Sequence, residues 1–231
     1  MRSPIQTRFE DLPQELAIFP LSGAVLLPSG RLPLNIFEPR YLNMTLDALK
    51  NGRIFGMIQP DPDKTPKDKV VGSSVIQESE PAIYSVGCAG RIASFEETED
   101  GRLLILVKGL ARFRVMQEIA GRSGYRRVRA DFNEYRADMD LPPKFDLNRE
   151  QLLSRLKPYL EAQSMPVNPD ALKGLSDSTL VTSLCMICPF DPREKQVLLE
   201  APSIAERAAT LDKLLQMGVF ETGAMTDTPK Q

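Results

Sequence analysis

The feature that most constrains the fold is a single change in the spacing of apolar residues, near residue 140. Before it, short β-rich runs alternate with turn residues; after it, apolar residues recur with helical period. A chain of 231 residues exceeds the usual domain length of about 150. The pattern therefore implies an α+β protein with a β half followed by a helical half. Between them lies Arg136–Lys144, R-A-D-M-D-L-P-P-K, whose paired prolines suit a linker. The expected division is an N-terminal tail over 1–13, a β domain over 14–135, a linker over 136–145, a helical bundle over 146–221 and a disordered tail over 222–231.

Strands are expected near Glu15–Phe19, Leu32–Ile36, Arg53–Ile58, Ile83–Val86, Arg91–Glu97, Arg102–Lys108, Arg112–Ile119 and Tyr125–Phe132. Arg91–Lys108 reads as a hairpin turning at Asp100-Gly101. Leu103–Val107 is apolar throughout and is expected to be buried on both faces. Alternation puts Arg112, Arg114, Met116 and Glu118 on one face of the next strand, and Phe113, Val115 and Ile119 on the other. One helix is inserted from about Pro39 to Asn51, started by Pro39 and stopped by Gly52. Leu42, Leu46 and Leu49 form its expected buried stripe. Gln59–Lys69 lacks apolar periodicity and reads as an exposed, mobile loop.

Four or five helices are expected in the second half. Asp191-Pro-Arg-Glu194 and Ser203-Ile-Ala-Glu206 fit capping boxes, and Asn168-Pro169 and Ser176 are further caps. Leu180, Leu184, Ile187 and Cys188 form one buried stripe, and Ile204, Ala208, Leu211 and Leu215 another.

Composition excludes several kinds of chemistry. The chain has no histidine, which rules out a Ser-His-Asp triad, a Cys-His pair and a His-ligated metal. No G-x-x-x-x-G-K-[ST] pattern is present. No secretory leader or membrane-spanning apolar run is found, and three cysteines do not make a disulfide framework; a reduced cytoplasmic setting is expected. Net charge is -2.

Three local patterns need weighing. Cys185-Met-Ile-Cys188 is a CxxC, but it lies well into an apolar helical run rather than at a helix start. Buried core thiols are the better reading, and a zinc site would lack ligands. Ser154-Arg-Leu-Lys157 spells S-x-x-K without its companion motifs and has no weight. Residues 112–129 hold six arginines against Glu118, a local charge of +5 with Tyr125 interleaved. Phosphate binding by Arg122, Arg126, Arg127 and Arg129 is one reading. Paired surface charge is the plainer one, because an acidic segment with Asp131, Glu134, Asp138 and Asp140 follows.

Several ordered motifs resemble a known family. Leu16–Leu21 (L-A-I-F-P-L), Leu26-Leu-Pro28 and Leu32–Tyr41 (L-P-L-N-I-F-E-P-R-Y) look like the opening of the Lon protease N-terminal domain. I-F-E-P-R-Y resembles the pattern of its stand-alone bacterial relatives and of the cereblon Lon-like domain. Gly87–Arg91, Asp100-Gly-Arg102, Gly109–Val115 and Phe190–Glu200 continue the likeness, which spans roughly residues 14 to 220. The resemblance implies a PUA-like twisted β-barrel with one inserted helix, then a helical bundle. It also implies substrate-polypeptide recognition without proteolysis, because the P-loop and the G-P-S-A-G serine segment are absent.

The expected function is thus a non-enzymatic module, without cofactor or metal, that binds unfolded or apolar polypeptide segments, as an adaptor or chaperone-like factor or with a specific protein partner. The alternative is RNA binding through the arginine cluster. A carboxylate-based hydrolase ranks last, because no spaced acid pair stands out. The polypeptide-contacting candidates are Phe37, Glu38, Arg40 and Tyr41, with Pro20 and Leu27. Phe37, Pro39 and Tyr41 also suit core and helix-start roles, Glu38 suits a helix dipole, and Arg40 suits an ion pair with Glu38. Loops Pro20–Gly30 and Gln59–Lys69 are expected to form an adaptable rim.

Overall fold

The computed structural model describes residues 7–64, 80–141, 143–165, 172 and 174–226, with side chains described up to residue 219. The chain divides between Met139 and Asp140 into two compact units. The first contains β1 (Glu15–Pro20), β2 (Arg31–Ile36), α1 (Pro39–Lys50), β3 (Ile54–Ile58), β4 (Val86–Glu97), β5 (Leu103–Arg122) and β6 (Tyr125–Asp131). Short 3-10 segments at Phe9–Asp11 and Asn133–Met139 flank them. The second contains α2 (Arg149–Ala162), α3 (Asp177–Ile187), α4 (Pro192–Glu200) and α5 (Ile204–Thr226).

The strand order is β2-β5-β4-β3-β1-β6, and β5 also pairs with β6. Five strands thereby close on themselves, and β2 lies outside the closure on the flank of β5. Strands β1 and β3 are parallel, with β2 and α1 in the connection between them; the other pairs are antiparallel.

Closure depends on β5. Its first half pairs with β2 and β4 at once, and its second half pairs with β6. Arg114 stands at the changeover, opposite both Val86 and Asp131. The four separate strands expected over 83–97 and 102–119 are therefore two long ones, with Ile83 left in an isolated bridge to Pro60. Register shifts absorb the bending: Ala89 and Gly90 face Ala111 and Gly109, so Leu110 is an extra residue. Between Val115 and Gln117 a second shift resets the alternation. Ile119 accordingly faces Arg127 and does not continue the Phe113–Val115 face.

Phe113 fills the barrel interior with Leu16, Ile18, Ile54, Ala111 and Val128. Its ring occupies space that two glycines leave open: a Cβ on Gly56 would lie 2.8 Å from it, and one on Gly87 2.6 Å. Leu12 also belongs to this core. The expected tail over 1–13 is therefore ordered at its end, because burying Leu12 fixes it.

Helix α1 starts at Pro39 and ends before Gly52, whose φ is +77°. Its buried residues are Tyr41, Met44, Thr45 and Ala48. The expected stripe of Leu42, Leu46 and Leu49 has the right period but the wrong phase, and Leu46 is exposed. Leu103–Val107 is likewise buried only on alternate residues, and Leu104 is exposed.

The expected linker is packed structure through Met139. Arg112 and Asp138 form a buried pair: Nε and Nη2 of Arg112 each donate over 2.8 Å, and the Arg112 backbone N–H donates over 3.0 Å. The guanidinium also lies 4.6 Å from the Tyr135 ring centre.

In the second unit Leu152, Leu156, Leu180, Leu184, Leu198, Leu211 and Leu215 are buried. The Asp191–Glu194 capping box is complete, with both bonds at 2.9 Å. Ser176 caps α3, and Ser203 accepts from the Glu206 N–H. Ile187, expected in the buried stripe of α3, is exposed, while Val181 and Cys185 complete that stripe. Helix α5 runs to Thr226, past the start of the expected disordered tail. The Asn168-Pro169 cap and residues 65–69 of the expected mobile loop lie outside the described residues.

Removing one side of a buried ion pair leaves an uncompensated charge, at a cost of about 3–5 kcal/mol. Asp138→Ala should therefore lower stability in denaturant titrations by about that amount. The double change Arg112→Met with Asp138→Leu should recover a large part of it.

Candidate functional site

Three of the six polypeptide-contacting candidates meet in one cleft. Pro20 ends β1, and Arg40 and Tyr41 begin α1; Pro60, Glu80, Pro81, Gly124, Tyr125 and Arg126 complete a small cleft of about 90 Å³. Tyr41 is held by Phe19, with ring centres 4.1 Å apart, and Arg40 lies 4.6 Å over its ring. Arg40 Nε donates to Glu38 over 3.0 Å. Burial works against the Arg40 charge, but the bond to Glu38 together with the charge interactions of Tyr41, Glu38 and Glu80 outweighs it and raises the guanidinium pKa. Burial raises the Tyr41 phenol as well. It also raises Tyr125, whose hydroxyl donates to Asp47 over 2.9 Å.

The cations of this cleft are already matched. Arg126 donates to Glu118 over 2.6 and 3.1 Å and to the Pro81 carbonyl over 2.8 Å, and Glu80 lies 3.3 Å away. What the cleft offers is flat proline and tyrosine surface between neutralised guanidiniums.

The other three candidates fall elsewhere. Glu38 precedes α1 as its cap residue and pairs with Arg40 without capping the helix through its side chain. Phe37, for which both a contact and a core role stand open in the sequence, is 61% exposed, which excludes the core role. Leu27 is fully buried and cannot touch a ligand. The reason is backbone pairing: Ser29 N–H donates to the Gly109 carbonyl over 3.1 Å, and Gly109 N–H to that of Gly30 over 2.9 Å. These bonds pull Val25, Leu26 and Leu27 inward, so much of the expected rim over 20–30 is core.

The arginine cluster is largely neutralised by distant carboxylates. Arg112 pairs with Asp138, Arg114 with Glu134, Arg122 with Asp47, Arg126 with Glu118 and Arg127 with Glu15; Arg129 is exposed. The partners lie up to 112 residues away, which local alternation cannot reveal.

A second and larger depression, of about 460 Å³, was not anticipated. It lies on the three-stranded extension where β2, β5 and β4 run side by side. Register places Pro33, Leu106 and Ser94 on one rung, and Asn35, Leu104 and Glu96 on the next but one. The backbone of Leu34, Ile105 and Phe95 lies between these rungs. Leu104 and Phe95 are 42% and 51% exposed. The all-apolar run Leu103–Val107 was the available signal: in a strand with one covered face, every second residue of such a run must face outward.

Among the described residues, neither cleft joins a nucleophile to a base. Among them, too, no group of three or more Cys, Asp or Glu is placed to hold a metal, and no helix is long and apolar enough to cross a membrane. Cys185 and Cys188 are fully buried, and burial pushes both thiols up to about 12.

The family described as the ATP-dependent protease La (LON) substrate-binding domain matches residues 15–217. The Lon protease of Anaeromyxobacter dehalogenans is 27% identical over 225 residues, 93% of this chain and 24% of that protein. Lon protease 2 of Myxococcus xanthus is 26% identical over 216 residues, 89% of this chain and 24% of that protein. The chain thus spans about a quarter of the length of these relatives. In fold it is similar to a Lon N-terminal domain protein from Xanthomonas campestris, with a TM-score of 0.54 and 23% identity, covering 87% of this chain and 97% of that one. The N-terminal domain of Mycobacterium avium complex Lon protease gives 0.53 at 14% identity, covering 87% and 98%.

The buried thiols make stability depend on pH. The native state keeps protons that the unfolded chain loses from about pH 9, so the stabilisation is complete below that pH and is lost as pH rises toward 12. Denaturant midpoints should fall over this window, and less so in a Cys185→Ala, Cys188→Ala chain. Thiol reagents should label the protein only after unfolding.

Proposed function

The chain belongs to the family of Lon substrate-binding domains, and from that membership we propose that it recognises polypeptides without catalysing a reaction on them. The observation that carries the proposal is the match over 15–217, which covers both units. The occupant proposed is an unfolded or locally extended segment with exposed apolar side chains, and the role is that of an adaptor or chaperone-like factor. The β2–β5–β4 face suits such a segment: Leu104, Leu106 and Pro33 line an open depression wider than the cleft beside Tyr41. The Pro20–Arg40–Tyr41 cleft has room for about one side chain and is proposed as a subsidiary contact.

Catalysis finds no support in the residues: histidine is absent, and the P-loop and serine-segment motifs do not occur in the sequence. RNA binding is the weaker reading, because five of the six clustered arginines already face a carboxylate, which removes most of the counterion release that drives phosphate binding.

Fluorescence anisotropy with a labelled, permanently unfolded polypeptide tests this. Micromolar binding is expected at physiological salt, undiminished by excess RNA. Leu104→Asp should weaken it about tenfold, the effect of losing one central apolar contact. Leu46→Asp, on the exposed side of α1, should leave it unchanged. Absence of binding, or binding that RNA displaces, would overturn the proposal.

A further inference from the structure

The β2–β5–β4 face is electrically two-ended. Register sets Arg31 opposite Lys108 and Lys108 opposite Arg91, so one rung across the three strands carries three cations. The next two rungs on the same face are Pro33–Leu106–Ser94 and Asn35–Leu104–Glu96. Beyond them the β4–β5 turn carries Glu99 and Asp100, of which Asp100 is matched by Arg102 at 2.8 Å. Arg31, Lys108, Glu96 and Glu99 are all exposed. Positive charge, an apolar centre and negative charge therefore follow one another along the strands. Four residues separate Lys108 from Leu104, a distance of about 14 Å at strand rise.

Resting on the reading that this chain binds polypeptides, we infer that the β2–β5–β4 face selects segments with an apolar centre, an acidic residue toward one end and a basic residue toward the other. An extended chain spans about 14 Å in four residues. A segment of the form acid, three residues with apolar side chains, base thus sets its acid against Arg31 and Lys108 and its base against Glu96. Contact is made side chain to face, with no backbone pairing to fix direction, so either chain direction serves. Selection comes from mismatch: a segment with the same charge at both ends meets like charge at one end of the face, which costs affinity and slows encounter.

The test uses four labelled peptides with one shared apolar centre: acid–base, acid–acid, base–base and uncharged. The acid–base peptide should bind the full chain about tenfold tighter than either like-charged peptide, with the difference shrinking at high salt. Arg31→Glu with Lys108→Glu should move the preference to the base–base peptide. Glu96→Lys should move it to the acid–acid peptide; both changes are on exposed residues, and unchanged melting temperatures confirm intact folds. Equal affinity for all four peptides, or a preference unmoved by the charge reversals, would overturn this inference while leaving polypeptide recognition standing. No binding of any peptide would overturn both. Self-association of the chain in sedimentation that Arg31→Glu with Lys108→Glu abolishes would place a second copy on the face and overturn the inference as well.

Discussion

The backbone of β5 is the constraint on which the β unit depends. Buried N–H and C=O groups need partners, and a twenty-residue strand through a core presents many of them. Three strands supply those partners. β2 and β4 flank the first half, and β6 takes over at Arg114. A straight strand could not face all three. The extra residues at Leu110 and Met116 bend it, and close packing around Phe113 holds the bend. The glycines at 56 and 87 have no side chain because that ring fills the space. Closure of the sheet and identity of the core are thus one arrangement, with Phe113 at its centre.

The same arrangement produces the exposed extension. Because β5 begins its pairing with β6 only at Arg114, its first residues project past the closed part and carry β2 and the end of β4 with them. Their inner face joins the core through Ile105, Val107 and Ile92, and their outer face meets solvent. This open apolar face is therefore a by-product of how the barrel closes. The small cleft at Tyr41 has a different origin, in the packing of α1 against Phe19 and the loop ahead of β4.

Much of this was legible in the residues. Period-two and helical spacing separated the two halves, and β1, β2, β3 and β6 lie within a residue or two of their expected bounds. Asp191 and Glu194 announced a cap that forms. The errors have a common physical cause, the absence of local signals for long-range geometry. Gly87, Gly90 and Gly109 read as strand ends although they lie at or beside a bulge inside continuous strands, and nothing near Met116 marks the second bulge, so two strands read as four. Helix α1 has apolar residues on more than one face, so period alone did not set which face is buried, and Tyr41 with Met44 displaced Leu42 and Leu46. Leu27 looked like a loop residue because the bonds that fix its segment join Ser29 and Gly30 to the distant Gly109. The paired-charge reading of the arginines holds, with Glu134 and Asp138 supplied by the acidic segment that follows them, while Glu15 and Asp47 arrive from other parts of the chain. The apolar run at Leu103–Val107 was seen, but its outward half was not, since only the position of β2 and β4 decides that one face stays open.

Strand β2 has one consequence of its own. A protein that displays leucine beside a strand edge left unpaired among the described residues risks growing by strand addition, copy upon copy, into fibres. Pro33 sits in the middle of that edge strand and has no N–H to offer an incoming neighbour. The face can stay greasy while the edge beside it refuses to template another sheet.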